Sequence, residues 1–177
     1  MALQNITIIS FGNFDSSFLR KIAEAASSEF RLSPVTREGY LDLSTCYDAG
    51  RRQYDGNMIL KTVDELYGND FSRTLGIFSV DIFIPILTFI FGQAYLNGRT
   101  GIASVFRLSN ERYGMDRNDD LLLERAVKEV IHELGHTMGL IHCHNPDCVM
   151  RSVTYVEDID QKSWSLCRKC KLLISER

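Results

Sequence analysis

Proline is scarce in this chain, with three in 177 residues, and no Gly-, Pro- or Ser-rich stretch separates one part from another. At the usual size of about 150 residues per domain, that reads as a single domain, 1–177. Positive charge is not in excess either: 20 Lys and Arg stand against 23 Asp and Glu, for a net charge of −3. This disfavours a nucleic-acid binder held by phosphate contacts. The N-terminus lacks a basic leader followed by a continuous apolar run, so Leu3 to Ser10 reads as a first strand and not as a secretory signal. Neither a prodomain nor export is expected, and a cytoplasmic location is the expectation. Long uninterrupted apolar runs are also missing. Gly76 to Leu96 comes nearest, but Asp81, Pro85, Gly92 and Gln93 interrupt it. It reads as two buried strands broken at Pro85 and not as a membrane span. What the chain does have is 45% apolar residues, enough for a core, which excludes the disordered and collagen-like classes.

The periodicity predicts a coarse order of elements. After the first strand, Phe18, Leu19, Ile22, Ala23, Ala26 and Phe30 recur at helical spacing, with Asp15, Ser16 or Ser17 as cap. Arg31 to Thr36 is extended, Leu41 to Gly56 reads as a polar loop, and Asn57 to Tyr67 reads as a second helix stopped by Gly68. Thr74–Ile84, Thr88–Tyr95 and Ile102–Arg107 read as strands, the last two able to form a hairpin across Asn97-Gly98. Asn118 to Leu140 is the best helix, capped by Asn118 or Asp119 and ended by Gly139. On it Glu124 is set to face Lys128, and Arg125 to face Glu129. The order predicts an α/β fold, a twisted and mostly parallel sheet packed by helices.

All four histidines and four of the five cysteines fall in the last third of the chain. In His132-Glu133-Leu134-Gly135-His136, the two histidines are four apart. On a helix they lie about 40° apart around the axis, one turn along, so both rings can grip one cation. Glu133 is offset by roughly 100°, poorly placed to ligate but able to reach a water on the metal. Gly139 lets the chain leave the helix in a shape other residues resist, so that His142 can return toward the metal. Three neutral imidazoles and a water make an open zinc site, and zinc lowers the pKa of its water from 15.7 to about 7. Glu133 then serves as general base and acid. His144 remains an alternative to His142, or a group that donates to substrate, or an exposed loop residue.

The pattern His132-Glu133-x-x-His136-x-x-Gly139-x-x-His142, followed by Cys143, Cys148, Met150 and Cys167-x-x-Cys170, resembles the archaemetzincins, compact metzincin-clan zinc proteases. The motif resemblance covers residues 132 to 170. It implies a compact metzincin-like domain. Residues 1–142 would be an upper subdomain with an active-site helix at about 118–140, and 143–177 an irregular, Cys-rich lower subdomain. It also implies two zinc ions per chain: a catalytic one on His132, His136 and His142, and a structural one on Cys143, Cys148, Cys167 and Cys170. Four thiolates make a closed site; two disulfides are the competing reading. Cys46 stands apart as a buried free thiol. Met150 is implied to form a methionine turn under the catalytic zinc, against a plain core role. In similar proteases an antiparallel edge strand binds extended substrate by strand addition. Phe89–Tyr95 is that edge strand or an interior one. Tyr155 either donates to an oxyanion or packs. Some relatives replace the third histidine; this chain keeps His142. The stretch Arg52-Gln53-Tyr54 also fits the family, with no mechanism attached to it.

The reading is therefore a zinc metallopeptidase, a hydrolase acting on a peptide or protein substrate, with no membrane partner. Its rival is a non-proteolytic zinc-binding interaction protein using the tail, where Lys162, Arg168, Lys169, Lys171 and Arg177 outnumber Glu176. Glu133 speaks against the rival, because a purely structural site has no use for that carboxylate.

Overall fold

The structure, a computed structural model, describes residues 3–175. Strand β1 (Asn5–Phe11) is buried on both faces, as its run of isoleucines suits an interior parallel strand. Helix α1 (Ser16–Phe30) follows, and of the candidate caps it is Asp15 that accepts from the Ser17 and Phe18 amides. Strand β2 (Ser33–Glu38) pairs parallel with β1 at the sheet edge, where Pro34 is tolerated.

The polar loop expected over 41–56 is a structured segment. A short 3-10 turn with buried Cys46 leads into β3 (Tyr47–Asp48) and β4 (Gln53–Asp55), an antiparallel pair. Asp55-Gly56, a pair that usually marks a turn, is a helix start: Asp55 caps α2 (Gly56–Tyr67) by accepting from the Asn57 and Met58 amides.

The expected strand Thr74–Ile84 is divided. Strand β5 (Ser72–Phe78) lies beside β1, and the chain then leaves the sheet to form β6 (Ile82–Phe83), which pairs with β4 in a second, three-stranded sheet. The cause is Asp81. Its buried carboxylate receives Arg107 at 2.6 and 2.7 Å and the Gln53 amide at 3.2 Å. A strand continuing along β5 cannot meet all three. Pro85 turns the chain, and only Gly92–Ala94 of the expected Thr88–Tyr95 strand is regular; this is β7. It runs antiparallel to β8 (Thr100–Ser104), across a turn in which Asn97 takes φ +54. The main sheet has the order β2-β1-β5-β8-β7, parallel except for β7 at its edge. This is the mostly parallel sheet that the order of elements predicts, and β7 takes the antiparallel edge position that the resemblance implies, not the interior one.

Helix α3 (Asp119–Thr137) begins at Asn118, whose side chain accepts from the Leu121 amide, with Asp119 and Asp120 in its first turn. It crosses the sheet against β5, β8 and β7 and packs on α1. Helices α4 (Val156–Gln161) and α5 (Arg168–Ser175) lie in the otherwise irregular C-terminal region. Val149, Met150, Val156, Ile159 and Leu166 from that region join Ile131 and Leu134 of α3 in one hydrophobic cluster. Among the described residues no helix is long and apolar enough to cross a membrane.

One ion pair lies within α3 and another ties it to α4. Lys128 meets Glu124 at 2.6 Å, as the spacing predicts. Arg125 does not face Glu129; it turns to α4 and grips both oxygens of Asp160 at 2.7 Å, and also donates to Leu108 O and Asn110 Oδ1. Arg125 is buried while Asp160 is one-third exposed and can turn to water, so removing Arg125 chiefly takes a partner from the Leu108 carbonyl and leaves a gap between α3 and α4. Arg125→Ala should cost about 2 kcal/mol in denaturant unfolding. A loss below about 1 kcal/mol would show that this clamp does not hold α4 on α3.

Candidate active site

Helix α3 places His132 and His136 one turn apart, the first buried and the second half-buried. The helix ends in a glycine motif: Gly139 takes φ +85, its N–H bonds His136 O, and the Leu140 N–H bonds Gly135 O. The chain thereby doubles back, and His142 comes over the pair. The three rings lie with centroids 4.7, 5.0 and 5.3 Å apart. One ligand nitrogen of each falls within 4.8 Å of the others. His144 is exposed on the following loop and is not one of the three.

The hydrogen bonds decide which nitrogens face inward. His132 Nδ1 lies 2.8 Å from Val149 O, and His136 Nδ1 lies 2.8 Å from Leu140 O. A carbonyl only accepts, so both Nδ1 atoms carry the proton and both Nε2 atoms present a lone pair. Those two Nε2 atoms are 3.1 Å apart. Two lone pairs at that distance repel unless a cation lies between them. Nitrogens bound about 2.05 Å from one tetrahedral centre are themselves about 3.3 Å apart, so the pair fits a metal such as zinc. Burial lowers the pKa of all three histidines, and the nearby Lys162 charge adds to this, which keeps them neutral and able to ligate.

Glu133 lies beside the histidines, and with them lines a cleft of about 750 Å³ between α3 and β7. Burial raises its pKa well above the ordinary carboxyl value, and the neighbouring Glu129 raises it further. Glu129 is raised by burial too, and one oxygen of each carboxyl has no protein partner among the described residues. Space for these groups comes from Gly92 of β7. A β-carbon there would lie 2.7 Å from Glu133 Cγ, 2.7 Å from Ile102 O and 2.9 Å from Glu129 Oε1.

Lys162, assigned from sequence to a basic tail, is instead 2% exposed behind the site. Its ammonium donates to Val149 O at 2.8 Å and Arg151 O at 3.2 Å, and burial lowers its pKa. The basic tail therefore loses one of its members, while Glu176 and Arg177 lie outside the described residues. Tyr155 is 65% exposed and lines the cleft, so the packing role does not hold.

Below the histidines lie four thiols. Cys143 and Cys167 are 3.8 Å apart, as are Cys148 and Cys170, and all four sulfurs fall within 4.8 Å of one another. Disulfide sulfurs sit at about 2.05 Å, so neither pair is bridged. Sulfurs each about 2.3 Å from a common tetrahedral centre are about 3.8 Å apart, so the set fits a closed metal site. Burial disfavours ionisation at Cys167, but the Cys170 N–H and the neighbouring thiols bring it down to about 7. Cys46 is buried and apart from them. Met150 is fully buried against Gly135, where a β-carbon would run into its sulfur. Its backbone carbonyl accepts from the Cys143 N–H at 2.9 Å, which ties the thiol cluster to the segment whose Val149 carbonyl meets His132.

The family model for peptidase family M54 matches residues 31–176. The chain belongs to this family. Membership makes it a zinc metallopeptidase, a hydrolase. The curated archaemetzincin of Methanocaldococcus jannaschii is 41% identical over 134 residues, covering 74% of this chain and 71% of that one. The archaemetzincin of Thermococcus kodakarensis is 36% identical, covering 94% and 92%. The crystal structure of archaemetzincin from Methanopyrus kandleri superposes with a TM-score of 0.86 at 33% identity, covering 98% of this chain and 94% of that one.

Three residues of the site escape a reading of the sequence: Glu129, Lys162 and Gly92. Only Glu129 leaves a signal there, standing four residues before Glu133 and so on the same helix face. The Gly92 contacts predict that Gly92→Ala will destabilise the protein by about 2 kcal/mol, through overpacking against the Ile102 carbonyl and Glu133. Denaturant unfolding checks this, and a neutral or stabilising effect would show that β7 can move away from α3 at no cost.

Proposed function

We propose that the chain hydrolyses peptide bonds at a zinc ion held by His132, His136 and His142, with Glu133 as general base and then general acid. The observation that carries this is the pair of Nε2 lone pairs 3.1 Å apart, with a buried carboxyl beside them on the cleft floor. When bound, zinc polarises the scissile carbonyl and makes water acidic enough to act near neutral pH. Glu133 takes the proton of the attacking water and returns it to the leaving amine. Val149 O and Leu140 O keep the imidazoles in the right tautomer throughout.

Substrate lies extended along the free edge of β7, adding a strand to the sheet. The cleft beside it is lined by Phe89, Phe91, Leu96, Ile141 and Val153, and by no Lys or Arg, so it takes a bulky apolar side chain. The four cysteines hold a second, structural zinc that braces the lower subdomain, 143–177, beneath the upper one, 1–142. Four reduced thiols suit a cytoplasmic setting.

The test is a peptide-library cleavage assay on zinc-replete protein, with zinc content measured in parallel. Wild type should hold about two zinc ions per chain. Glu133→Gln should keep both and lose about 10²–10⁴-fold in turnover. Wild-type turnover by the variant with zinc retained would contradict the mechanism. Cys148→Ser should remove one zinc and lower thermal stability far more than His136→Ala, because structural metal binding is folding energy. Equal losses would contradict the division of labour between the sites.

A further inference from the structure

The segment Arg51-Arg52-Gln53-Tyr54 is not explained by hydrolysis, and it reaches neither set of metal-binding side chains. It lies instead against the back of the cleft wall, residues 84–91. Arg51 Nη2 donates to Leu87 O at 2.6 Å and to Thr88 O at 3.3 Å, and its guanidinium stacks 4.1 Å over the Phe83 ring. The buried Gln53 uses its whole amide: Nε2 donates to Thr88 O at 3.0 Å and Asp81 Oδ2 at 3.2 Å, and Oε1 accepts from Arg51 Nε at 3.2 Å. The Tyr54 N–H bonds Asp81 O at 2.9 Å. Gly56, two residues on, has no β-carbon to press on Ile90 Cδ1, which would lie 3.0 Å away. Arg52, between the two side chains that do the gripping, is exposed and only makes the turn, at φ +57.

The wall has little to hold itself in place. Among the described residues its backbone bonds are Leu87 N to Ile84 O within the wall, Ile90 N to Ile82 O of β6, and, at its far end, Ser104 N of β8 to Phe91 O, so residues 85–89 have one between them. Ile86 is 85% exposed and Leu87 is half exposed. Yet Phe89, Ile90 and Phe91 of this same stretch line the cleft next to Glu133. Arg107, held by Asp81, stacks 4.1 Å under Phe89 and completes the brace.

We propose that Arg51 and Gln53 are positioning residues for substrate. By fixing the Leu87 and Thr88 carbonyls they hold the apolar wall at the width that admits a bulky apolar side chain, and so set selectivity without touching the metal or Glu133. The selectivity part rests on the hydrolytic reading above; the bracing part does not.

Two measurements on zinc-loaded protein separate the parts. Arg51 is exposed, so Arg51→Ala should fold; Gln53→Ala and Arg51→Lys accompany it. Hydrogen exchange at the Leu87 and Ile90 amides should quicken about tenfold or more in both alanine variants, while Ile131 and Leu134 in α3 keep wild-type protection. In peptide cleavage, KM for a Phe- or Leu-bearing peptide should rise about tenfold with kcat falling much less. The preference for those peptides over an Ala-bearing one should fall in step. Arg51→Lys should recover part of both effects, since the ammonium can still donate to one carbonyl. Wild-type exchange at Leu87 and Ile90 in Arg51→Ala would overturn the brace. Quickened exchange with unchanged selectivity would overturn the substrate role. If wild type cleaves no peptide, the hydrolytic reading fails on its own. The substrate role is then decided by whether a Phe-bearing peptide protects Leu87 and Ile90 from exchange in wild type: protection supports it and none overturns it.

Discussion

Two backbone carbonyls govern the site. Val149 O and Leu140 O each face the Nδ1 atom of an α3 histidine, and each therefore fixes the proton there. The outward-facing proton leaves the inward nitrogen bare. With His132 and His136 one helical turn apart, the bare nitrogens meet at 3.1 Å. The arrangement is repulsive until a cation enters, so the folded protein is built around a charge that its own side chains do not supply. Everything nearby serves that geometry. The Gly139 turn brings the Leu140 carbonyl back to His136 and sends His142 over the pair. Lys162, buried behind His132, holds the other carbonyl from the far side.

The thiol cluster takes part in the same constraint. Cys143 follows His142 directly, and its N–H bonds the carbonyl of Met150. Val149, whose carbonyl orients His132, stands between Cys148 and Met150. Any shift in how the four sulfurs gather moves the residue that sets a histidine's tautomer. Stability of the lower region and readiness of the histidine set are thus mechanically one matter, although their metals would do different work.

Much of this was legible in the sequence. Helix α3 carries its cap, its acidic first turn and its terminating glycine in plain order, and a spacing of four puts two imidazoles on one face whatever else the protein does. The antiparallel pairing of β7 with β8 is legible too, because the Asn97-Gly98 turn joins two apolar runs, but that turn does not say whether the strand lies at the edge or inside. Where the reading stopped, polar tertiary contacts were the cause. Gln53 and Asp81 look like loop residues, yet each is buried because it finds the other and Arg107. Those contacts turn an expected loop into two strands and divide an expected strand. Lys162 and Glu129 carry charge and so read as solvated, but they are buried next to one another's field at the site. Arg125 was assigned a neighbour on its own helix and found Asp160 on another. Periodicity records which face is apolar; it does not record which charge has a partner across the fold.

The central claim is that one chain holds two metals of different ligand chemistry, placed by its own hydrogen bonds. X-ray absorption at the zinc edge on zinc-replete protein tests it directly. The account predicts two distances in about equal weight, nitrogen or oxygen at about 2.0–2.1 Å and sulfur at about 2.3 Å. A spectrum with sulfur ligands alone would mean that the histidine triad holds no zinc, and the account of the site would be wrong.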